Sequence, residues 1–188
     1  MLRNSAASYG FVAIAFHWVM AILFLIQFWI GLTMMGIVNP LEKFALYQRH
    51  KSFGFLILGL VMLRLLWSLA NRRPALPATM KESERQLAKA SHALLYLALF
   101  AIPLTGWAVV STSPLPIASW FFGLFTIPRL PLTISLHSQQ IWGSVHGLLA
   151  YSALFLAGIH ALAALRHHFH HRDDVLKRML WPRHGNQD

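Results

Sequence analysis

Four stretches of this chain are apolar over almost their whole length, and they limit it to a small set of folds. The first runs from Phe11 to Met35, FVAIAFHWVMAILFLIQFWIGLTMM. The second runs from Phe53 to Ala70 with Arg64 as its only charge, the third from Ala93 to Val110, and the fourth from Val145 to Leu165. Each is near the ~20 residues a helix needs to cross about 30 Å of hydrocarbon. The first is too long for the apolar core of a signal peptide and lacks a small-residue cleavage site, so it reads as a retained span. With their flanks, the runs predict helices at about 11–35, 47–70, 90–111 and 143–167. The expected fold class is all-α: an integral membrane four-helix bundle, one domain over residues 1–188.

The connections differ in kind. Asn71 to Lys89 is charged and carries prolines, and reads as a polar loop. Residues 112–142 are apolar but broken by Pro114, Pro116, Pro128 and Pro131. Proline cannot continue a helix interior, so this loop is expected to hold a short interfacial segment and no fifth span. Charged residues make up 12% of the chain, against ~25% in soluble domains, so lipid covers much of the surface. The net charge of +10 does not point to nucleic acid, because the basic residues border the apolar runs. There is no cysteine, which excludes disulfides, iron–sulfur clusters, thiol catalysis and thioether attachment of a cofactor. Any metal must be held by histidine, methionine or oxygen.

Basic residues also orient the chain. Arg3, Arg72, Arg73, Lys81, Arg85, Lys89, Arg166, Arg172, Lys177, Arg178 and Arg183 lie on one side of the expected topology. Lys43, Arg49, Lys51 and Arg129 lie on the other. The positive-inside rule places both termini in the cytoplasm and the 112–142 loop in the periplasm. Arg64, near the cytoplasmic end of the second span, is expected to snorkel to the headgroups.

Ionisable groups inside spans are costly and tend to be functional. His146 and His160 share the fourth span, 14 residues apart. That is ~40° short of four turns and ~21 Å along the axis, so they project from nearly one face at two depths. Chain direction supplies a partner for each: His17 at the depth of His160, and His50 at the depth of His146. Two opposed imidazoles from different helices are what a six-coordinate b-type haem requires, and neutral imidazole adds no buried charge. Two haems between helices are therefore expected, with His17/His160 and His50/His146 as axial pairs binding the iron. Gly54, Gly143, Gly147 and Gly158 lie beside these positions and serve either porphyrin clearance or close helix packing. His92 has no depth-matched partner and either lines a cofactor edge or sits in the interface. His167, two turns beyond His160, and Arg166 are candidates to face a quinone headgroup. The HHFHH run from His167 to His171 reads as a membrane-proximal solvated tail, with a divalent-metal site as the lesser reading.

The sequence resembles the bacterial cytochrome b561 family of di-haem membrane proteins. The resemblance rests on FHW at Phe16–Trp18, HKSFG at His50–Gly54, PLTGW at Pro103–Trp107, FGLFTIP at Phe122–Pro128, and HGLLAY at His146–Tyr151. It continues through the histidines from His160 to Phe169 and RDDVLKRML at Arg172–Leu180. These pieces occur in family order over nearly the whole chain, and the family's four axial histidines fall on His17, His50, His146 and His160. The resemblance implies two non-covalent haem b groups in the bacterial cytoplasmic membrane. It also implies electron exchange between a periplasmic donor and membrane quinone. One family activity is oxidation of superoxide with ubiquinone as acceptor. Other members serve as cytochrome b subunits of dehydrogenases or hydrogenases, and a haem-binding anchor without turnover is a further alternative. For an anionic donor, Lys43, Arg49, Lys51 and Arg129 would form a basic entrance; otherwise they pair with lipid phosphates or haem propionates.

Overall fold

The computed structural model describes residues 1–6, 8–72, 74–75 and 80–181. Arg73 and Arg183, used above to orient the chain, lie outside the described residues. Four long helices carry the architecture: α1 (Phe11–Gly36), α2 (Pro40–Ala70), α3 (Glu82–Thr112) and α4 (Leu136–Arg166). All four are long and apolar enough to cross a membrane. A spanning segment must satisfy every backbone polar group internally, which an apolar helix does.

Three helices begin well before their apolar runs, and local capping explains each start. Asn39 Oδ1 accepts from Leu41 N at 3.0 Å, with Pro40 in the first helical position, so α2 begins about seven residues before the start expected near residue 47. Glu84 reaches back to accept from Lys81 N at 3.3 Å and starts α3 within the expected polar loop. Ser135 Oγ accepts from Ser138 N at 3.0 Å and starts α4. At ~1.5 Å per residue a 31-residue helix exceeds the hydrocarbon thickness, so these polar prefixes extend beyond it.

The exposed surface is that of a protein dissolved in lipid. Trp29, Leu148 and Phe155 are 71%, 69% and 72% exposed. The buried apolar side chains among the described residues are Ile14, Met20, Ile57, Val61, Met80, Ala108 and Ala153. Soluble proteins do not expose apolar surface on this scale.

Between α3 and α4 the chain departs from the all-α expectation. The segment read as interfacial contains an antiparallel hairpin, β1 (Ser119–Phe121) and β2 (Phe125–Ile127). Its turn has positive φ at Phe122 (48°) and Gly123 (77°), and Leu124 N donates to Phe121 O at 2.9 Å. Two consecutive positive φ values match the twist of paired strands. The hairpin is tied to α2. Ser52 Oγ donates to Trp120 O at 2.8 Å, and Phe122 N donates to Ser52 Oγ at 3.1 Å.

The chain divides into two compact units, each drawing on all four helices. One comprises Met1–Met20, Leu60–Leu97 and Leu154–Asp188; the other comprises Ala21–Gly59 and Ala98–Ala153. In the first, the chain beyond α4 continues through a wide π-type turn, His167–His171, and a short 3-10 turn, Lys177–Met179. Trp18 Nε1 donates to Met179 O at 2.7 Å and fastens that tail to α1.

Candidate functional site

Each unit holds one pair of histidines contributed by two different helices. In the unit containing Ala21–Gly59, the rings of His50 on α2 and His146 on α4 have centres 6.1 Å apart and planes at 86°. Two imidazoles on opposite sides of one metal ion, with bonds of about 2 Å, place their ring centres about 6 Å apart. The spacing suits a group held between them.

Backbone holds the His146 ring. His146 Nδ1 lies 2.9 Å from Ile102 O. A carbonyl only accepts, so Nδ1 carries the proton and Nε2 presents its lone pair, the form a metal requires. Thr105 Oγ1 lies 3.2 Å from the same nitrogen and donates back to the α3 backbone. The ring rests on Gly106, where an added Cβ would meet His146 Cε1 at 3.0 Å. Across the site, a Cβ at Gly31 would meet His50 Cε1 at 3.3 Å. Gln27 Nε2 donates to His50 O at 2.8 Å, fixing α2 to α1 at this level.

In the other unit, His17 on α1 and His160 on α4 have ring centres 6.3 Å apart and planes at 56°. This spacing also suits a bridging metal ion. The surroundings here are side chains. Arg64 Nη2 lies 3.2 Å from His17 Nδ1, and its guanidinium carbon lies 5.1 Å from the centre of the Tyr96 ring. Ser91 Oγ lies 3.5 Å from His160 Nδ1. His92 is exposed, with its ring centre 5.1 Å from that of His160. That is shorter than two imidazoles on opposite sides of one metal ion require, so His92 borders the pair.

Arg64, for which the sequence predicts snorkelling to the headgroups, instead turns towards His17 and Tyr96. The guanidinium gains ring nitrogen, thioether and aromatic partners there. A sequence signal existed: Arg64 follows His50 by 14 residues, the same interval that separates His146 from His160 on α4. The seats at Gly31 and Gly106 were also missed. Gly143, Gly147 and Gly158, singled out beside the histidines, have nothing within 4 Å of an added Cβ, while Gly54 faces Gln27.

The remaining candidates are spread among other partners. Arg166 is 61% exposed and pairs with Glu84 at 3.5 Å. His167 Nδ1, in the π-type turn, lies 2.6 Å from Oδ2 of Asp173 just beyond it, and His171 lies 3.7 Å from Glu84. Of the four basic residues considered as an entrance, Lys51 donates to Ala118 O at 3.1 Å. Arg129 donates to Ser113 O at 3.0 Å and to Leu115 O at 2.5 Å. These two cations clamp the loop that carries the hairpin. Arg49 is exposed and Lys43 half-exposed.

Four apolar spans with histidines paired across helices are the layout of a membrane-embedded cytochrome b. The chain belongs to the prokaryotic cytochrome b561 family, whose model matches residues 8–182. It is 34% identical over 181 residues to cytochrome b561 homolog 2 of Escherichia coli K12, covering 94% of this chain and 93% of that protein. It is 32% identical over 180 residues to a Yersinia pestis protein named probable superoxide oxidase CybB, covering 94% and 98%. Cytochrome b561 homolog 1 of E. coli K12 is 27% identical over 133 residues, covering 71% and 73%. The chain is thus a multi-pass protein of the bacterial inner membrane, of an electron-transfer family that uses b-type haem.

Proposed function

We propose that this protein is a di-haem cytochrome b that moves electrons from a periplasmic donor to ubiquinone, with residues 1–188 working as one membrane domain and both termini in the cytoplasm. The observation that carries this reading is the duplicate geometry, two histidine pairs with ring centres 6.1 and 6.3 Å apart. His50 with His146 and His17 with His160 would be the axial ligands. Bound there, haem supplies reversible one-electron transfer without taking up or releasing atoms. The chain's own contribution is to hold ring planes, fix the proton of His146 on Nδ1, and exclude water with apolar helix faces.

Superoxide is the preferred donor, on the likeness to the Yersinia pestis relative. Two superoxide anions would each lose one electron and become dioxygen. Ubiquinone would take both electrons and two protons to become ubiquinol. A periplasmic redox protein is the second donor, feeding the same acceptor. The test is direct. Pyridine extraction of the purified protein should give two non-covalent haems per chain, and superoxide should drive ubiquinone reduction in vesicles. One haem or none overturns the two-site reading. Two haems without superoxide-driven reduction removes superoxide and leaves the protein donor.

A further inference from the structure

Arg64 lies in an apolar run with no other charge, and the ion pairs among the described residues do not include it. Its guanidinium touches His17 Nδ1 at 3.2 Å and Met20 Sδ at 3.8 Å, and lies over Tyr96. A charge held within a span is expensive, and such residues face functional interiors. Arginine stays protonated at any accessible pH. This positive charge is therefore permanent, whichever ring nitrogen of His17 carries the proton.

The neighbour of the other pair has the opposite character. His146 Nδ1 meets a neutral acceptor, Ile102 O, at 2.9 Å. An acceptor on the outer imidazole nitrogen makes the ligating nitrogen more electron-rich and favours the oxidised metal. A cation beside a ligand does the reverse: it disfavours the state with one more positive charge, and apolar surroundings strengthen that effect. Both neighbours push the same way. They make the His17/His160 site easier to reduce and the His50/His146 site easier to oxidise.

We infer that Arg64 sets the direction of electron flow, by raising the reduction potential of the site formed by His17 and His160 and making it the electron-accepting end of the chain. Arg64 acts through charge and is a positioning residue, not a ligand. The inference rests on the proposed di-haem function and names the residue that makes its two sites unequal.

The experiment is a redox titration of the purified holoprotein, followed optically, with haem content measured alongside. The His50→Ala protein assigns the wave belonging to His17 and His160. In Arg64→Gln, that wave should move to lower potential while the other stays in place. The reduced-to-oxidised ratio at fixed potential should fall at least tenfold, equivalent to about 59 mV for one electron. Arg64→Lys keeps the charge and should recover most of the shift. Arg64 is half-buried and close to His17, so salt should screen the shift only in part.

An unmoved wave in Arg64→Gln, an equal shift of both waves, or a lysine variant behaving like glutamine overturns the inference. If Arg64→Gln does not retain its haem, Arg64→Lys decides. A wave near the parent position supports the charge argument, and one displaced by tenfold or more rejects it. Failure of the underlying function has a different mark, because the parent protein itself would then lack two haem waves.

Discussion

The two histidine pairs are similar in spacing and unlike in support. His146 is gripped by main chain, at Ile102 O and at Gly106 on α3, and the His50 ring lies against Gly31. His17 and His160 are surrounded by side chains: Arg64, Ser91, His92 and Tyr96. A ring seated on backbone has little freedom to move, because neither glycine has atoms to yield and the helices carry the seat. A ring bordered by side chains can be adjusted chemically without changing helix spacing. The first pair is therefore sensitive to volume and the second to charge.

The strongest test of this comparison removes one ligand at a time. Alanine at His50 should abolish one of two haems and spare the other, and alanine at His17 should do the reverse, both read by pyridine extraction. Loss of both haems from either variant, with the protein still folded, would break the pairing. Volume comes next. Gly106→Ala places a Cβ 3.0 Å from His146 Cε1, while Nδ1 is held by Ile102, so the ring cannot retreat without losing that bond. Haem occupancy at this site should fall by at least half. Gly31→Ala, at 3.3 Å from His50 Cε1, should cost less. Gly158→Ala, with nothing within 4 Å, should leave both haems in place. Equal losses in all three variants would show that the glycines matter for helix packing alone.

A smaller effect is expected at Thr105. Thr105→Val keeps the shape and removes the hydroxyl beside His146 Nδ1, leaving the Ile102 carbonyl as acceptor. It should lower the stability of the holoprotein by about 1 kcal/mol, seen as a lower melting temperature with normal haem content. The smallest effect concerns the basic residues. Neutralising Lys43 and Arg49 should slow an anionic donor modestly, more at low salt than at high salt, because exposed charges are screened. Neutralising Lys51 or Arg129 should instead loosen the hairpin loop, read as faster amide exchange near Ala118 or Ser113. A salt-independent rate in all four variants would remove steering from the donor reading.

Several features were legible from the chain because they depend on local order. Apolar runs of span length identify the four helices. A 3.6-residue period places His146 and His160 on one face, and alternating helix direction then suggests which histidines meet. The helix starts were less legible, since Asn39, Glu84 and Ser135 act through single capping bonds that hydropathy does not register. The hairpin was obscured because an apolar, proline-broken segment has no clear period.

By itself, the sequence determined a membrane protein of four spans with histidines at two levels, because burial in lipid and helical periodicity are properties of adjacent residues. Only the tertiary structure decided what each ring touches. It turned Arg64 inward to His17, set His146 on Gly106 and Ile102, and committed Lys51 and Arg129 to loop carbonyls. The physical reason is that each of these contacts joins residues far apart in the chain. A guanidinium within a span can turn to headgroups or to an interior partner, and its own sequence does not rank the two. The choice depends on which groups the neighbouring helices bring within a few ångströms.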